Sequence, residues 1–368
     1  MNQAELVIDL DAYRSNLQVM RDLAPTAQQM AVVKANAYGH GMAACARTAR
    51  EVGTPWLGVA TPAEALELRG LGDSGRLLCW LATPGAPFVE LIARDVDVTA
   101  SSVAQLDEIL ATGAKARVHL KVDTGLNRNG AAQSHWAELF TRAAQAQAHG
   151  KLDIVGMWSH LAAADDPTHP ANDIQETAFD EAIALAAEMG LQPEWIHLAN
   201  SAATATRPSV HRDLVRVGIA SYGINPDPLV KIDGLIPVMT ARARLAHVKD
   251  VKAGDSVSYG WRWTADRATR LGLVPVGYGD GISRAASNLA QVGFAGERVS
   301  IRGTVCMDQF VIDVGNLEAQ AGDWATLFGP GFSGEPTAEE WAQSLGTIGY
   351  EIVTQMAGRW TRTVKGGR

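Results

Sequence analysis

Residues 31–41 read AVVKANAYGHG, and the reading of the fold starts from them. Met30, Ala31, Val32 and Val33 form an apolar run suited to a buried strand, which delivers a lysine at its end. Asn36, Tyr38 and two glycines then lead into a helical pattern starting near Met42. Strand, turn and helix in that order make the repeating unit of an α/β fold, so Lys34 stands where a central strand ends. Desolvation there lowers a lysine pKa from its reference of about 10.4. A neutral amine is a nucleophile that forms Schiff bases with carbonyl compounds, whereas a lysine paired with a carboxylate only closes a strand. Lys34 alone leaves both readings open.

Outward from Lys34 the same alternation continues. Apolar strand-like runs lie near 30–34, 56–60, 76–81, 96–99, 117–122, 152–158, 195–198 and 214–217. Helical spacing occupies 42–52, 62–70, 87–94, 102–111, 135–148 and 172–189. Eight strands with intervening helices predict a (β/α)8 TIM barrel rather than a doubly wound sheet, since no glycine-rich phosphate turn follows the first strand. Before it, Glu5 to Leu10 reads as a strand and Leu10, Tyr13, Leu17, Met20 and Leu23 as one helical face, begun by Asp9 or Asp11. Beyond Pro226, Pro228 and Pro237 the runs become short and β-rich with glycine turns, which predicts a mostly-β domain. One helix near 337–345 interrupts it, opened by a Thr337–Glu340 capping box. The expected domains are 1–232 and 233–368. The basic end, Arg359 to Arg368, reads as a solvated terminus.

Composition bounds the function. The chain has 368 residues and a net charge of -8, which argues against nucleic acid or an acidic membrane surface as the main partner. Cys45, Cys79 and Cys306 are far apart and lack metal-ligand spacing. There is no metal site to expect. Without a leader-like N-terminus or a long apolar run, a cytoplasmic location is expected.

On the predicted barrel the polar oddities share one face. Lys34 ends the first strand, Lys121 and Asp123 the fifth, His160 the sixth and Asn200 with Ser201 the seventh, while Arg216 lies in the eighth. Active sites of such barrels sit at the C-terminal strand ends, often with a phosphate site after strands seven and eight. Here those loops read ANSAAT and GIASYG. Ser201, the N–H groups of Gly218 and Ile219, and the phenol of Tyr38 suit a phosphate. A Schiff-base lysine opposite a phosphate cradle is what pyridoxal 5'-phosphate requires. Each member has a plainer reading: His160 a core histidine, Arg216 a partner for Asp213, Ser201 a helix cap, Lys121 and Asp123 an ion pair, and GYGDG (277–281) a β-turn.

Nine ordered motifs, AVVKANAYGHG, LKVDTGLNRNG, SHLAAAD, HLANSAAT, VRVGIASYG, VSYGWRW, VGYGDG, GTVCMDQ and GYEI, make the chain resemble the alanine racemase family over nearly its whole length. The resemblance implies a homodimer of barrel-plus-β chains with shared active sites, acting on L- and D-alanine and supplying D-alanine for peptidoglycan. It implies that Lys34 holds the cofactor and serves as one base, and that Tyr259 is the other, contributed by the second subunit. It further implies phosphate contacts from Tyr38, Ser201, Gly218, Ile219 and Tyr350, with Arg216 at the pyridine nitrogen and His160 linking it towards Tyr259. Arg128 and the backbone at Met307 are implied to bind the substrate carboxylate, Lys121 to be carbamylated and orient Arg128, and Tyr278 to narrow the substrate entrance. The chain departs from the family pattern at Asn129, where leucine is common, and at Gly279, where alanine is.

Racemisation removes a proton from one side of Cα and returns one on the other, so two bases must flank it. Competing readings are an amino-acid decarboxylase of the same architecture, a non-catalytic cofactor carrier and a broad-specificity racemase. Arg216 speaks against the first, since a carboxylate is expected there, and the β domain with Tyr259 against the second.

Overall fold

The computed structural model describes residues 2–366. Strand β1 (Ala4–Asp9) is followed by a helix over Leu10–Leu23, capped by Asp9, whose carboxylate accepts from the N–H groups of Asp11 and Ala12. Leu10, Tyr13, Leu17 and Met20 are buried as their spacing predicts, but Leu23 faces solvent at the last turn.

Eight parallel strands follow: β2 (Gln28–Val32), β3 (Trp56–Val59), β4 (Arg76–Cys79), β5 (Asp97–Ala100), β6 (Ala116–Lys121), β7 (Leu152–Trp158), β8 (Trp195–His197) and β9 (Leu214–Val217). They pair in the order β8-β7-β6-β5-β4-β3-β2-β9. Asp213 N–H donates to Ile196 O and Arg216 N–H to Ala199 O, which returns β9 to β8 and nearly closes a TIM barrel. Local chemistry starts its helices where the sequence places them. Thr61 and Glu64 form a capping box around Pro62 at the head of Pro62–Gly70, and Ser102 caps Val103–Ala111. The main core lies between strands and helices, while Met30, Trp56, Leu78 and Leu214 form a separate cluster inside the barrel.

The second unit is a nine-stranded sheet. Its strands β10 (Met239–Arg244), β11 (His247–Val251), β12 (Thr269–Val274), β13 (Gln291–Phe294), β14 (Glu297–Arg302), β15 (Phe310–Asp313), β16 (Trp324–Phe328) and β17 (Thr361–Lys365) take the order β11-β12-β15-β14-β13-β16-β10-β1-β17. Thus β1 leaves the barrel half of the sequence and pairs with β10 and β17. The expected solvated terminus holds for its side chains, most of which are exposed, but the backbone is not free: Thr361–Lys365 is a paired strand, and Arg359 bonds Asp280 and Asp308. Residues 367–368 of that stretch lie outside the described residues. The capping box at Thr337 is present, but a second helix, Gly349–Thr354, follows it and is too short for periodicity to reveal.

Candidate active site

Lys34 comes two residues after β2, and the chain there does something that propensity does not suggest. Ala35, Asn36, Ala37 and Tyr38 all have positive φ, between 51° and 55°, which makes a left-handed turn of four non-glycine residues. Each costs about 1–2 kcal/mol, so the surroundings must hold the turn. Ala35 N–H donates to Glu64 Oε1 (2.7 Å), Met42 N–H to Asn36 Oδ1 (2.8 Å), and His40 Nδ1 meets the carbonyls of Ala37 and Tyr38 at 2.9 Å each. Gly39 closes it where a Cβ would lie 2.3 Å from Val353 O.

The turn directs Lys34 and Tyr38 into an open-mouthed cavity of about 150 Å³. Lys121, Arg128, His160, Ser201, Arg216, Gly218, Ile219 and Tyr350 share its wall, with Val32, Trp80, Trp158 and Asn200. Four cations stand there, and no aspartate or glutamate among the described residues lines the cavity. Lys34 makes no ion pair among those residues; its Nζ lies 5.9 Å from the ring centroids of Tyr38 and Trp80. Burial lowers its pKa, helped by Arg128 and Arg216 and opposed by Glu64. Lys121 Nζ sits 4.3 Å from the Trp158 ring centroid, and burial, then Arg216 and Arg128, bring its pKa down to about 8. A site so charged is built for anions.

Arg216 is buried and heavily bonded. Its Nη1 donates to His197 Nδ1 (3.2 Å) and His197 O (3.0 Å); Nη2 donates to Ser159 O (2.9 Å), Leu198 O (3.0 Å) and His160 Nδ1 (3.1 Å). Nε has no partner among the described residues. Burial lowers the guanidinium to about 9, so it stays protonated at neutral pH. Because His160 Nδ1 accepts, its proton is on Nε2, and burial beside these cations holds the ring neutral, well below the usual histidine range.

At the far wall Ser201 Oγ accepts from Gly218 N–H at 2.9 Å, which leaves its own O–H to donate outward. Gly218 is needed: a Cβ there would lie 2.4 Å from Tyr38 Oη. Ile219 opens a 3-10 turn, Ile219–Tyr222, so its N–H has no acceptor within the turn. The phenols of Tyr38 and Tyr350 are pushed up, mainly by burial, and so remain donors at neutral pH. Hydroxyls, N–H groups and cations together can hold a phosphate and a carboxylate at once.

Tyr259, Tyr278 and Met307 are elsewhere. They form an exposed group on the β domain (74%, 45% and 55% exposed), beside Trp261 at 76%. Thr304 Oγ1 donates to Tyr259 O, and the N–H groups of Tyr278 and Gly279 donate to Cys306 O and Met307 O. Tyr259 borders a different concavity, with Ser258, Cys306 and Phe310.

Several plainer readings are corrected. Arg216 does not bond Asp213, which accepts from Ile196 N–H instead. Asp123 accepts from Gly125 and Asn127 N–H, and no ion pair joins Lys121 to an acid among the described residues. Asn200, not Ser201, caps the following helix. GYGDG, by contrast, is a turn as expected, its i→i+3 hydrogen bonds running from Asp280 N–H to Gly277 O and from Gly281 N–H to Tyr278 O. Sequence reasoning missed Trp80 and Trp158 in the wall and His197 behind Arg216; their strand positions were visible, but which face each side chain takes was not.

Residues 8–226 match the family described as alanine racemase, N-terminal domain, and residues 238–364 its C-terminal domain. The chain is 50% identical to an alanine racemase of Salinispora tropica over 96% of both chains, and 48% identical to one of Thermobifida fusca over 99% of this chain and 98% of the relative. In three dimensions it is similar to the crystal structure of alanine racemase from a D-cycloserine-producing Streptomyces lavendulae, with a TM-score of 0.98 and 50% identity over 100% of this chain and 98% of that one. With both of its halves matched and half of its residues shared across full length, the chain belongs to the alanine racemase family.

Proposed function

We propose that the protein interconverts L- and D-alanine by a two-base reaction with pyridoxal 5'-phosphate, in a homodimer whose subunits complete each other's sites. The observation that carries this is a partly buried Lys34 that, among the described residues, has no ion-pair partner and lines a cavity without an acid, in a family whose relatives are named alanine racemases. We place the division between the barrel and β domains near residue 232.

The cavity fits that cofactor on its own features. Ser201, Tyr38, Tyr350 and the N–H of Ile219 would hold the phosphate; Gly218, expected to add its own N–H, instead gives it to Ser201 Oγ and serves by having no Cβ to crowd Tyr38 Oη. Lys34 would hold the cofactor covalently through Nζ, and the Nε–H of Arg216, which has no partner among the described residues, would donate to the ring nitrogen. When bound, pyridoxal phosphate supplies a conjugated electron sink that acidifies the Cα–H of an attached amino acid. Arg216 stays protonated at neutral pH, so it donates and takes no proton there. Lys34 Nζ, lowered by burial, moves the proton at one side of Cα, and Tyr259 Oη of the partner subunit moves it at the other. His160 Nε2–H is a donor suited to the oxygen of that phenol. Arg128 binds the substrate carboxylate with the backbone at Met307 of the partner subunit, and Tyr278 of the partner subunit narrows the way in. Lys121, partly neutral because its pKa is about 8, is poised to add carbon dioxide as a carbamate and orient Arg128. The protein then serves peptidoglycan synthesis from the cytoplasm.

The test is to incubate purified protein and cofactor with L-alanine in deuterated water, following D-alanine and Cα exchange together. Both should appear. Exchange without the D-isomer means one base and rejects the racemase assignment.

A further inference from the structure

Behind Arg216 a line of buried polar groups runs away from the cavity. His197 Nδ1 meets Arg216 Nη1 at 3.2 Å, His197 Nε2 meets His119 Nδ1 at 3.0 Å, and His119 Nε2 meets Asp97 Oδ2 at 3.3 Å. Both rings and the carboxylate are fully buried, and Asp97 is gripped by Arg76 and Arg117 at 2.6 Å each. The two ends dictate every proton. A guanidinium only donates, and a carboxylate between two guanidiniums is ionised and only accepts. His197 therefore accepts at Nδ1 and carries its proton on Nε2, which donates to His119 Nδ1. His119 in turn carries its proton on Nε2 and donates it to Asp97. A second proton on either ring would set donor against donor, and burial lowers the pKa of both.

The barrel is shaped for this line. Gly156, on β7 between the two histidine-bearing strands, lies where a Cβ would sit 2.0 Å from His119 Nδ1. The β6–β7 register slips between Val118 and His119, the kind of irregularity that re-aims a side chain. Trp158 stacks on His197 with the rings 6° from parallel, and Trp56 meets His119 edge-on. Barrel interiors are ordinarily filled by branched apolar residues, and a polar line there costs desolvation unless each group is satisfied.

We propose that Asp97, His119 and His197 are positioning residues for Arg216: a hydrogen-bond line of single direction that fixes the guanidinium plane and leaves Nε–H as its donor to the cavity. None of the three borders the cavity. The line acts by consuming the Nη1 protons from behind, while Ser159, His160 and Leu198 consume those of Nη2. Its catalytic meaning rests on the role proposed above for Arg216; its existence does not.

The experiment is a [15N]histidine spectrum of the full-length protein, with pyridoxal phosphate bound and after its removal. Both His119 and His197 should be neutral Nε2–H tautomers in both states. An Nδ1–H or doubly protonated ring at either position overturns the proposal. Asp97→Asn should shift the His197 Nδ1 resonance, though residue 97 does not touch it, shift the absorption maximum of the bound cofactor, and lower kcat roughly tenfold with KM for alanine within about twofold, as loss of an outer supporting partner does. A variant that only melts earlier, with kcat and the His197 resonance unchanged, also overturns it. Should that variant not fold, the unsubstituted protein's tautomers decide. Expected tautomers in a protein that does not racemise alanine would leave the line standing and reject the proposed function instead.

Discussion

At the barrel mouth, Lys34, Lys121, Arg128 and Arg216 gather around one cavity, and burial has already moved the pKa of three of them. On the β domain, Tyr259 is held just as firmly by its backbone, yet its ring stands largely in the open at the edge of a separate concavity. Ser258 and Trp261 take positive φ (64° and 46°), Thr304 clamps the Tyr259 carbonyl, and the phenol remains 74% exposed. Backbone strain is tolerated where surroundings over-determine it, and it tends to collect at functional sites. Here it presents a phenol whose oxygen has no hydrogen-bond partner among the described residues. Tyr259, Trp261, Tyr278 and Met307 form an exposed apolar patch of the kind that marks an interface. The contrast teaches that one region is a finished electrostatic environment and the other an exposed surface that, on the homodimer proposed above, is half of a joint.

The sharpest way to break that comparison is to empty each half in turn. Lys34→Ala should abolish racemisation by at least about 10⁴-fold and remove the near-ultraviolet band of the lysine-bound cofactor. Tyr259→Phe should keep that band while losing about 10²–10⁴-fold in rate, the range of one positioned proton-transfer group. Mixing the two inactive variants after dissociation and reassociation should return about a quarter of full activity, because half the dimers are mixed and each mixed dimer rebuilds one intact site of two. No recovery in demonstrably mixed dimers means that Lys34 and Tyr259 serve the same chain's site. A gentler test is dilution. Activity per chain should fall below the dimer dissociation constant while the cofactor band persists, since the barrel mouth is complete without its neighbour.

How far the sequence could be read follows from the same division. The eight barrel strands and their capped helices were legible because burial on both faces and 3.6-residue spacing are local signals, as in Met30–Val33 and Val103–Ala111. Lys34, Tyr38, Ser201 and Arg216 could be placed at one end because a parallel barrel puts all strand C-termini there. Local signals do not reach further. The left-handed turn after Lys34 depends on Glu64, His40 and Val353, and no propensity of Ala35 or Ala37 foretells it. The line from Asp97 to Arg216 joins residues 22 and 78 positions apart through ring orientations that Gly156 makes possible. The pairing of β1 with β17 likewise unites the two ends of the chain, where a short polar run looked solvated.

The smallest expected effect asks whether the barrel mouth stays free of acid. Lys121 is buried with its pKa near 8, lowered chiefly by burial, so as a plain amine it binds its proton less tightly folded than unfolded. That costs stability below about pH 8, and the penalty fades as pH rises towards 10.5, where the unfolded chain also loses the proton. Lys121→Met should then stabilise the cofactor-free protein in carbon-dioxide-free buffer at pH 7, by about 3 kcal/mol at most, and by under about 1 kcal/mol at pH 10. Bicarbonate should invert the sign. A carbamate on Lys121 places a negative charge beside Arg216 and Arg128, so the unsubstituted protein gains cohesion that methionine lacks, and urea midpoints should rise for it alone. Midpoints that ignore bicarbonate would mean that the four cations are balanced only by cofactor and substrate, and that the cavity is held open by repulsion until those anions arrive.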